Sequence, residues 1–325
     1  MNQNDTASRH NLKQTFKWIV GKYGIILILL GMCALLSILN PNFLRGKNLI
    51  NIVRQVAVIG IIGMGVTFAI ITAGTDLSSG SVVGLVGVLA ALTIAKGLPL
   101  VVCIIISIAV GTLTGFINGV IIVKGKIAPF IATLGMMTAA RGAAMLCSEG
   151  RPISINSRAF LNIGQGTILG VPVPVIIFLV MGVIAHIILR KLRFGRHVYA
   201  VGGNDQAAIT CGINKDKVLV LVYTLAGFMT GIAGVILTAR IGSGQPGSGL
   251  SYEFEAITGA IIGGTSFTGG VGRITGTMVG ALVIGVLNNG MDLLGISPYW
   301  QQVVKGVIIV GAVVLDARRN RIYSN

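Results

Sequence analysis

Apolar residues in this chain fall in long unbroken runs, neither alternating as in a strand nor striped as in an amphipathic helix. Residues 23–44, 55–75, 77–95, 97–123, 127–140, 159–189, 218–239, 256–272 and 274–291 contain no Lys, Arg, Asp or Glu, and 293–315 is interrupted only by Lys305. A spanning helix needs about 20 mostly apolar residues. The pattern predicts an all-α polytopic bundle of about ten transmembrane helices, at roughly 23–40, 50–73, 78–95, 98–122, 129–147, 169–189, 218–238, 253–264, 274–290 and 299–316. The eighth is short and glycine-rich. It fits a full span or a broken, re-entrant helix, which is tolerated only where protein surrounds it. The first run follows a basic approach (Arg9, Lys13, Lys17, Lys22) but is long and has no A-x-A site after it. It reads as an uncleaved span. The expected organisation is an arm at 1–22, a transmembrane domain at 23–316 with a hydrophilic connection at 190–217, and a tail at 317–325.

Composition agrees with a membrane protein. Of 325 residues, 54% are hydrophobic and 10% charged, with a mean hydropathy of +0.88. A soluble domain carries about 25% charge, so a soluble enzyme is excluded. The 47 glycines have no G-X-Y period, which excludes collagen, and suit close helix approach. The net charge of +16 sits between apolar runs and not on one face, so it argues for the positive-inside rule and against a nucleic-acid partner. With the N-terminus inside, 16 Lys and Arg fall in inner connections and 6 in outer ones, which places both termini in the cytoplasm. Cys33, Cys103, Cys147 and Cys211 and the three histidines show no paired spacing, so no metal or disulfide site is expected.

Candidate chemistry is sparse. No G-x-x-x-x-G-K-[ST] occurs, so the chain is not expected to hydrolyse ATP and is expected to hold no cofactor; ATP and magnesium would be used by a partner. Within 190–217, Asn204 suits an N-cap, Asp205 suits the positive helix start, and Gly212 followed by Ile213 suits a left-handed stop. That predicts about two turns at 205–211, read either as a plain basic loop or as a docking helix, with Gly203, Asn204, Ala207, Ala208, Gly212 and Ile213 as its coupling residues. Gly263, Gly264, Gly269, Gly270 and Gly272 form an inner glycine-rich segment, expected to be a close-packing turn and not a nucleotide site. Among charges in or beside the spans, Arg54, Glu253 and Asp292 lie near drafted outer ends, where long side chains snorkel, and Lys305 is read the same way. Asp76 is expected to cap the third helix or to contribute to a pathway. Arg141 is the deepest charge and the best candidate for an internal polar contact. Asn118, Thr133, Asn288 and Asn289 offer amide and hydroxyl groups to a neutral solute.

These motifs taken together resemble the permease subunit of ATP-binding-cassette monosaccharide importers, the ribose/galactoside/xylose type. The carriers are GTDLSSGSVVGL at 74–85, GFINGVIIVKGKIAPFIATLGMM at 115–137, Arg141–Gly142, RFGRHVYAVGGNDQAAITCGI at 193–213, YEFEAITGAIIGGTSFTGGVGRITGTMVGALVIGVLNNG at 252–290 and PYWQQVVKGVIIVGAVVLD at 298–316, nearly the whole chain. The resemblance implies a bacterial inner-membrane protein, a second permease copy as homodimer partner, a cytosolic ATPase and a periplasmic or lipoprotein sugar-binding protein. It implies that the Asn204–Gly212 element sits on the ATPase. Thr75 before Asp76, where the ribose-like branch usually has Ile, and the Arg240–Ser243 run look closer to the galactoside branch, so ribose and galactose both stand as substrates. The rival reading is a self-sufficient secondary transporter or channel, disfavoured here because the acidic residues lie mostly near drafted span ends.

Overall fold

A computed structural model describes the backbone of residues 24–324, and side chains through Val314 together with Asp316. The expected arm at 1–22 lies outside the described residues, as do the tail's side chains. Each drafted span is occupied by a helix: α1 (Gly24–Leu39), α2 (Gly46–Ile71), α3 (Ser79–Ala95), α4 (Leu100–Gly125), α5 (Pro129–Ser148), α7 (Val173–Arg190), α10 (Lys215–Ile241), α11 (Tyr252–Ile262), α12 (Ile274–Leu293) and α13 (Pro298–Ser324). Short elements lie between them: α6 (Arg158–Gln165), α8 (Arg193–Gly203), α9 (Asp205–Thr210), and two-residue strands β1 (Ile153–Ser154), β2 (Thr167–Ile168), β3 (Val171–Pro172) and β4 (Ser243–Gly244). Among the described residues, α2, α4, α5, α7, α10 and α12 are long and apolar enough to cross a membrane, and α1, α3 and the apolar part of α13 are shorter.

Helices α2 and α10 form the centre. Gly65 faces the Ala226 backbone, and Gly74, just past the end of α2, faces Tyr223 near the start of α10, so the two run antiparallel. Glycine makes such approaches possible: Gly111, Gly115 and Gly119 of α4 lie against the α10 backbone from Gly231 to Val220. Helix α12 packs along α2, from Gly285 against Val56 to Thr277 against Thr67 at 2.6 Å.

The order long helix, extended stretch, short helix, long helix, helix occurs twice. It runs α2, 72–78, α3, α4, α5 and again α10, 242–251, α11, α12, α13. Packing repeats with it. Helix α4 lies on α10 as α12 lies on α2, α3 lies on α10 as α11 lies on α2, and α3 meets α5 as α11 meets α13. Because α2 and α10 are antiparallel, the halves are inverted, an arrangement recurrent in transporters.

Both extended stretches run deep inside the bundle. Ser79, the first residue of α3, lies beside Thr230, about halfway along α10. The second stretch descends along α3, with Gly244 against Gly87 and Ala91, then Gly249 against Gly80 and Val83. The eighth span is therefore broken: an extended first part, then the 11-residue α11. Irregular backbone is stable at this depth only if its polar groups find partners. Strand β1 pairs with β4 where the second stretch begins (Ile153 opposite Gly244), and Ile155 N–H donates to Gly242 O at 3.0 Å. Deeper, the Arg141 guanidinium donates to Pro246 O and, at 2.9 Å, to Ser248 O.

Candidate translocation site and coupling segment

The sequence-selected polar residues fall into separate settings. Asp76 is buried, and its Oδ1 accepts from the Ser78 N–H at 2.9 Å and the Ser78 hydroxyl at 2.6 Å. It closes the turn ahead of α3 and does not cap it. Asn118 donates to the same hydroxyl at 3.0 Å, and its Oδ1 has no partner. Thr133 lies next to this cluster, its hydroxyl 3.4 Å from Thr75 O. Arg141 is not in the cluster. It holds the carbonyls of the second extended stretch.

Asn288 occupies the equivalent of Asn118 in the inverted half, in the matching strings Gly115-Phe-Ile-Asn118 and Gly285-Val-Leu-Asn288. Its Nδ2 donates to Glu255 Oε2 at 3.0 Å, and Glu255 Oε1 is 2.5 Å from Lys305 Nζ. Asn289 points elsewhere: it accepts a hydrogen bond from Asn48 Nδ2 at 2.9 Å and donates one to Asn48 Oδ1 at 2.8 Å.

The snorkelling assignments fail for two of the charges, Lys305 and Glu253. Lys305 and Glu255 form an ion pair, which neutralises two charges that are costly alone in an apolar span. Glu253 is buried against Gly80 in the first turn of α3, where a helix start favours a carboxylate. Arg54 is half-buried and reaches out to a connecting segment, where its Nη2 donates to Gln165 O at 2.7 Å, as a snorkelling side chain does. The misplacement of Glu253 has a structural cause. A drafted span assumes a continuous helix, so residues at its numerical end are placed at the membrane surface. Here 242–251 enters extended, and the start of α11 lies deep. Asp76, Glu253 and Glu255 are thus buried acids within the bundle, and the placement used against a proton-driven carrier does not hold. The sequence reading missed the Glu255–Lys305 pair; two opposite charges set in apolar runs were the only local signal for it.

On the hydrophilic side, α9 is capped at both ends. Asn204 Oδ1 accepts from Ala207 N–H at 2.9 Å. Ile213 N–H donates to Ala208 O at 3.0 Å and Gly212 N–H to Ile209 O at 2.9 Å, a Schellman stop with Gly212 at φ +81°. Gly203 has open space around it. Ala207 and Ile209 are exposed and Ala208 is buried. Asp205 pairs with Lys215 at 2.6 Å, and the hydrogen bond from Lys215 holds the Asp205 carboxyl below its ordinary range. Helix α8 anchors this element inward. Phe194 stacks on Phe68 of α2, Tyr199 donates to Gly272 O at 2.7 Å, and burial pushes the Tyr199 phenol up.

The glycine-rich turn completes the link. Gly270 N–H donates to Ile71 O at the end of α2 at 2.8 Å, Gly269 packs on Gly202 and Ala73, and Gly272 on Ile71 and Thr265. Gly263 lies on the Gly276 backbone of α12, and Gly264 turns at φ +91° into open space. Asp316 of α13 accepts from Ser266 Oγ and Phe267 N–H, both at 3.0 Å. The ends of α2, α8, α11, α12 and α13 are thereby gathered around one turn.

A broken-helix membrane bundle, arranged as two inverted halves with a rigid capped element on one side, defines a transport permease. Residues 48–313 match the family described as the permease component of branched-chain amino acid transport systems, and the chain belongs to that family. It is a multi-pass protein of the inner membrane. Among curated proteins it is 46% identical to the ribose import permease protein of Bacillus subtilis (strain 168), over 94% of this chain and 95% of that one. It is 41% identical to the ribose import permease protein of Escherichia coli (strain K12), over 94% and 96%. It is 39% identical to the D-allose transport system permease protein of Escherichia coli (strain K12), over 91% of each. No solved structure matches.

Proposed function

We propose that the chain is the membrane conduit of an ATP-powered monosaccharide importer and carries a ribose-type sugar inward by alternating access. The observation that carries this reading is the α8–α9 segment, a capped, exposed element tied to the ends of α2 and to the glycine turn. Movement imposed on α9 would pass through Tyr199–Gly272 and Gly270–Ile71 to helices of both inverted halves. Gly203, Asn204, Ala207, Ala208, Gly212 and Ile213 form the docking element for a cytosolic ATPase that binds ATP and magnesium. A separate sugar-binding protein delivers substrate at the outer face. A second copy pairs with this chain through exposed apolar faces such as Val101, Ile105 and Leu113 of α4. Ten crossings with both ends in the cytoplasm fit the charge bias. Asp76, Asn118, Thr133, Arg141, Asn288 and Asn289 line or support the path. The ribose and allose permeases named above favour ribose over a galactoside, and the coupling element favours an ATP-driven permease over a self-sufficient carrier.

Initial-rate uptake of labelled D-ribose, D-allose, L-arabinose and D-galactose tests this, in cells expressing the chain with its ATPase and binding protein. The expected result is ATP-dependent uptake led by D-ribose, with the ATPase co-purifying. Robust uptake by the chain alone, or transport of leucine and no sugar, would reject the reading.

A further inference from the structure

A cavity of about 660 Å³ opens between α11, α12 and α13. That is within the range of about 300–1,000 Å³ typical of small-molecule sites. Its wall is mainly apolar, but Glu255, Asn288, Lys305, Ser251, Gln302 and the ring of Phe254 face it. Asn288 is 3% exposed, and its Oδ1 has no hydrogen-bond partner. Lys305 spends one of its three N–H donors on Glu255. The carboxylate is satisfied at both oxygens, by Lys305 and Asn288. The site thus has no net charge, an unused acceptor, unused donors and an aromatic face. The matching place in the other half is closed. Around Asp76, Ser78, Ser79 and Thr114 there is no room for a water molecule.

We propose that this cavity is a membrane-embedded subsite for a neutral polyhydroxyl solute, a monosaccharide in transit. This rests on the reading of the chain as a monosaccharide permease. A sugar hydroxyl donates to Asn288 Oδ1 and another accepts from Lys305, while Phe254 lies against the C–H face of the ring. Each hydroxyl both donates and accepts, which suits a neutral mixed lining. An anion meets a lysine already neutralised. A zwitterionic amino acid binds only by splitting the 2.5 Å Glu255–Lys305 pair.

The test places Gln302→Cys at the cavity in the assembled transporter, with Cys33, Cys147 and Cys211 changed to Ser, and measures its alkylation by a membrane-permeant maleimide. Saturating D-ribose is expected to slow labelling at least fivefold, L-leucine to leave it unchanged, and Asn288→Ala to remove the protection. Tyr299→Cys, exposed on α13, is the control and should label equally with and without sugar. In uptake, loss of one hydrogen bond from Asn288→Ala is expected to lower the D-ribose rate about fivefold at an unchanged amount in the membrane. Unprotected Gln302→Cys in a transporter that imports D-ribose overturns the subsite and leaves the importer reading standing. Protection by leucine and not ribose overturns the sugar assignment. A parent transporter that imports no sugar overturns the importer reading itself.

Discussion

Gly270 shows how a single hydrogen in place of a side chain holds the glycine-rich turn together. Its φ is +70°, and a Cβ there would lie 2.9 Å from Gly203 Cα. A β-branched residue in that conformation costs about 1–3 kcal/mol in backbone strain alone, and the Gly203 contact adds to it. Gly270→Val is therefore expected to lower the yield of folded protein in detergent, measured by size-exclusion profile. ATP binding by the isolated permease that disappears in this variant would instead mean that the turn is a nucleotide site. Arg141 is a second such residue. Truncation to Met leaves the carbonyls of Pro246 and Ser248 without their guanidinium donor, at about 1–3 kcal/mol for each buried group left unpaired. Arg141→Met should lower the melting temperature and speed the alkylation of cysteines introduced singly at Ser243 or Ser248, with Arg141→Lys recovering part of both. Asp205 gives a pH signature. Its pKa is depressed by Lys215, so the pair supports α9 at neutral pH and is lost as pH falls through the lowered carboxyl pKa, below the ordinary value of about 4. Hydrogen exchange of α9, corrected for intrinsic rate, should stay flat from neutral pH down to that range and then rise. Asp205→Asn should abolish the step.

At the scale of elements, α9 separates surface from packing. Ala207 and Ala208 are neighbours in sequence, yet one is exposed and the other buried. Ala207→Glu should insert and fold normally while uptake and ATPase co-purification both fall by tenfold or more if α9 docks on the ATPase. Ala208→Glu should reduce folded protein, because it buries a charge against α8 and α10. Unchanged uptake in Ala207→Glu would count against a coupling role. The caps of α9 were legible in the sequence, since Asn204, Gly212 and Ile213 act over three or four residues. The breaks ahead of α3 and α11 were only half legible. Glycine and a short apolar run flagged α11, but nothing local distinguished a full span from an extended stretch followed by a half-helix. The partners that permit the extended form, Arg141 and β1, lie about a hundred residues away.

For the whole molecule, the charge count predicts that reporters fused at either end are active in the cytoplasm only. A C-terminal reporter active only in the periplasm would sink the ten-crossing arrangement. The inverted halves make their equivalent sites unequal: Asn118 is enclosed by Ser78 and Asp76, whereas Asn288 borders a cavity. The sequence by itself determined the helix positions, the membrane class, the orientation bias and the capped element. Each of these depends on run length, local charge or short-range hydrogen bonds. Tertiary structure alone decided that Glu255 meets Lys305 fifty residues away, that Arg141 serves carbonyls in another segment, and that Asp76 and Glu253 lie deep. Those outcomes depend on which backbones pack together across space, and an apolar run has the same length whether the segment that follows it is helical or extended.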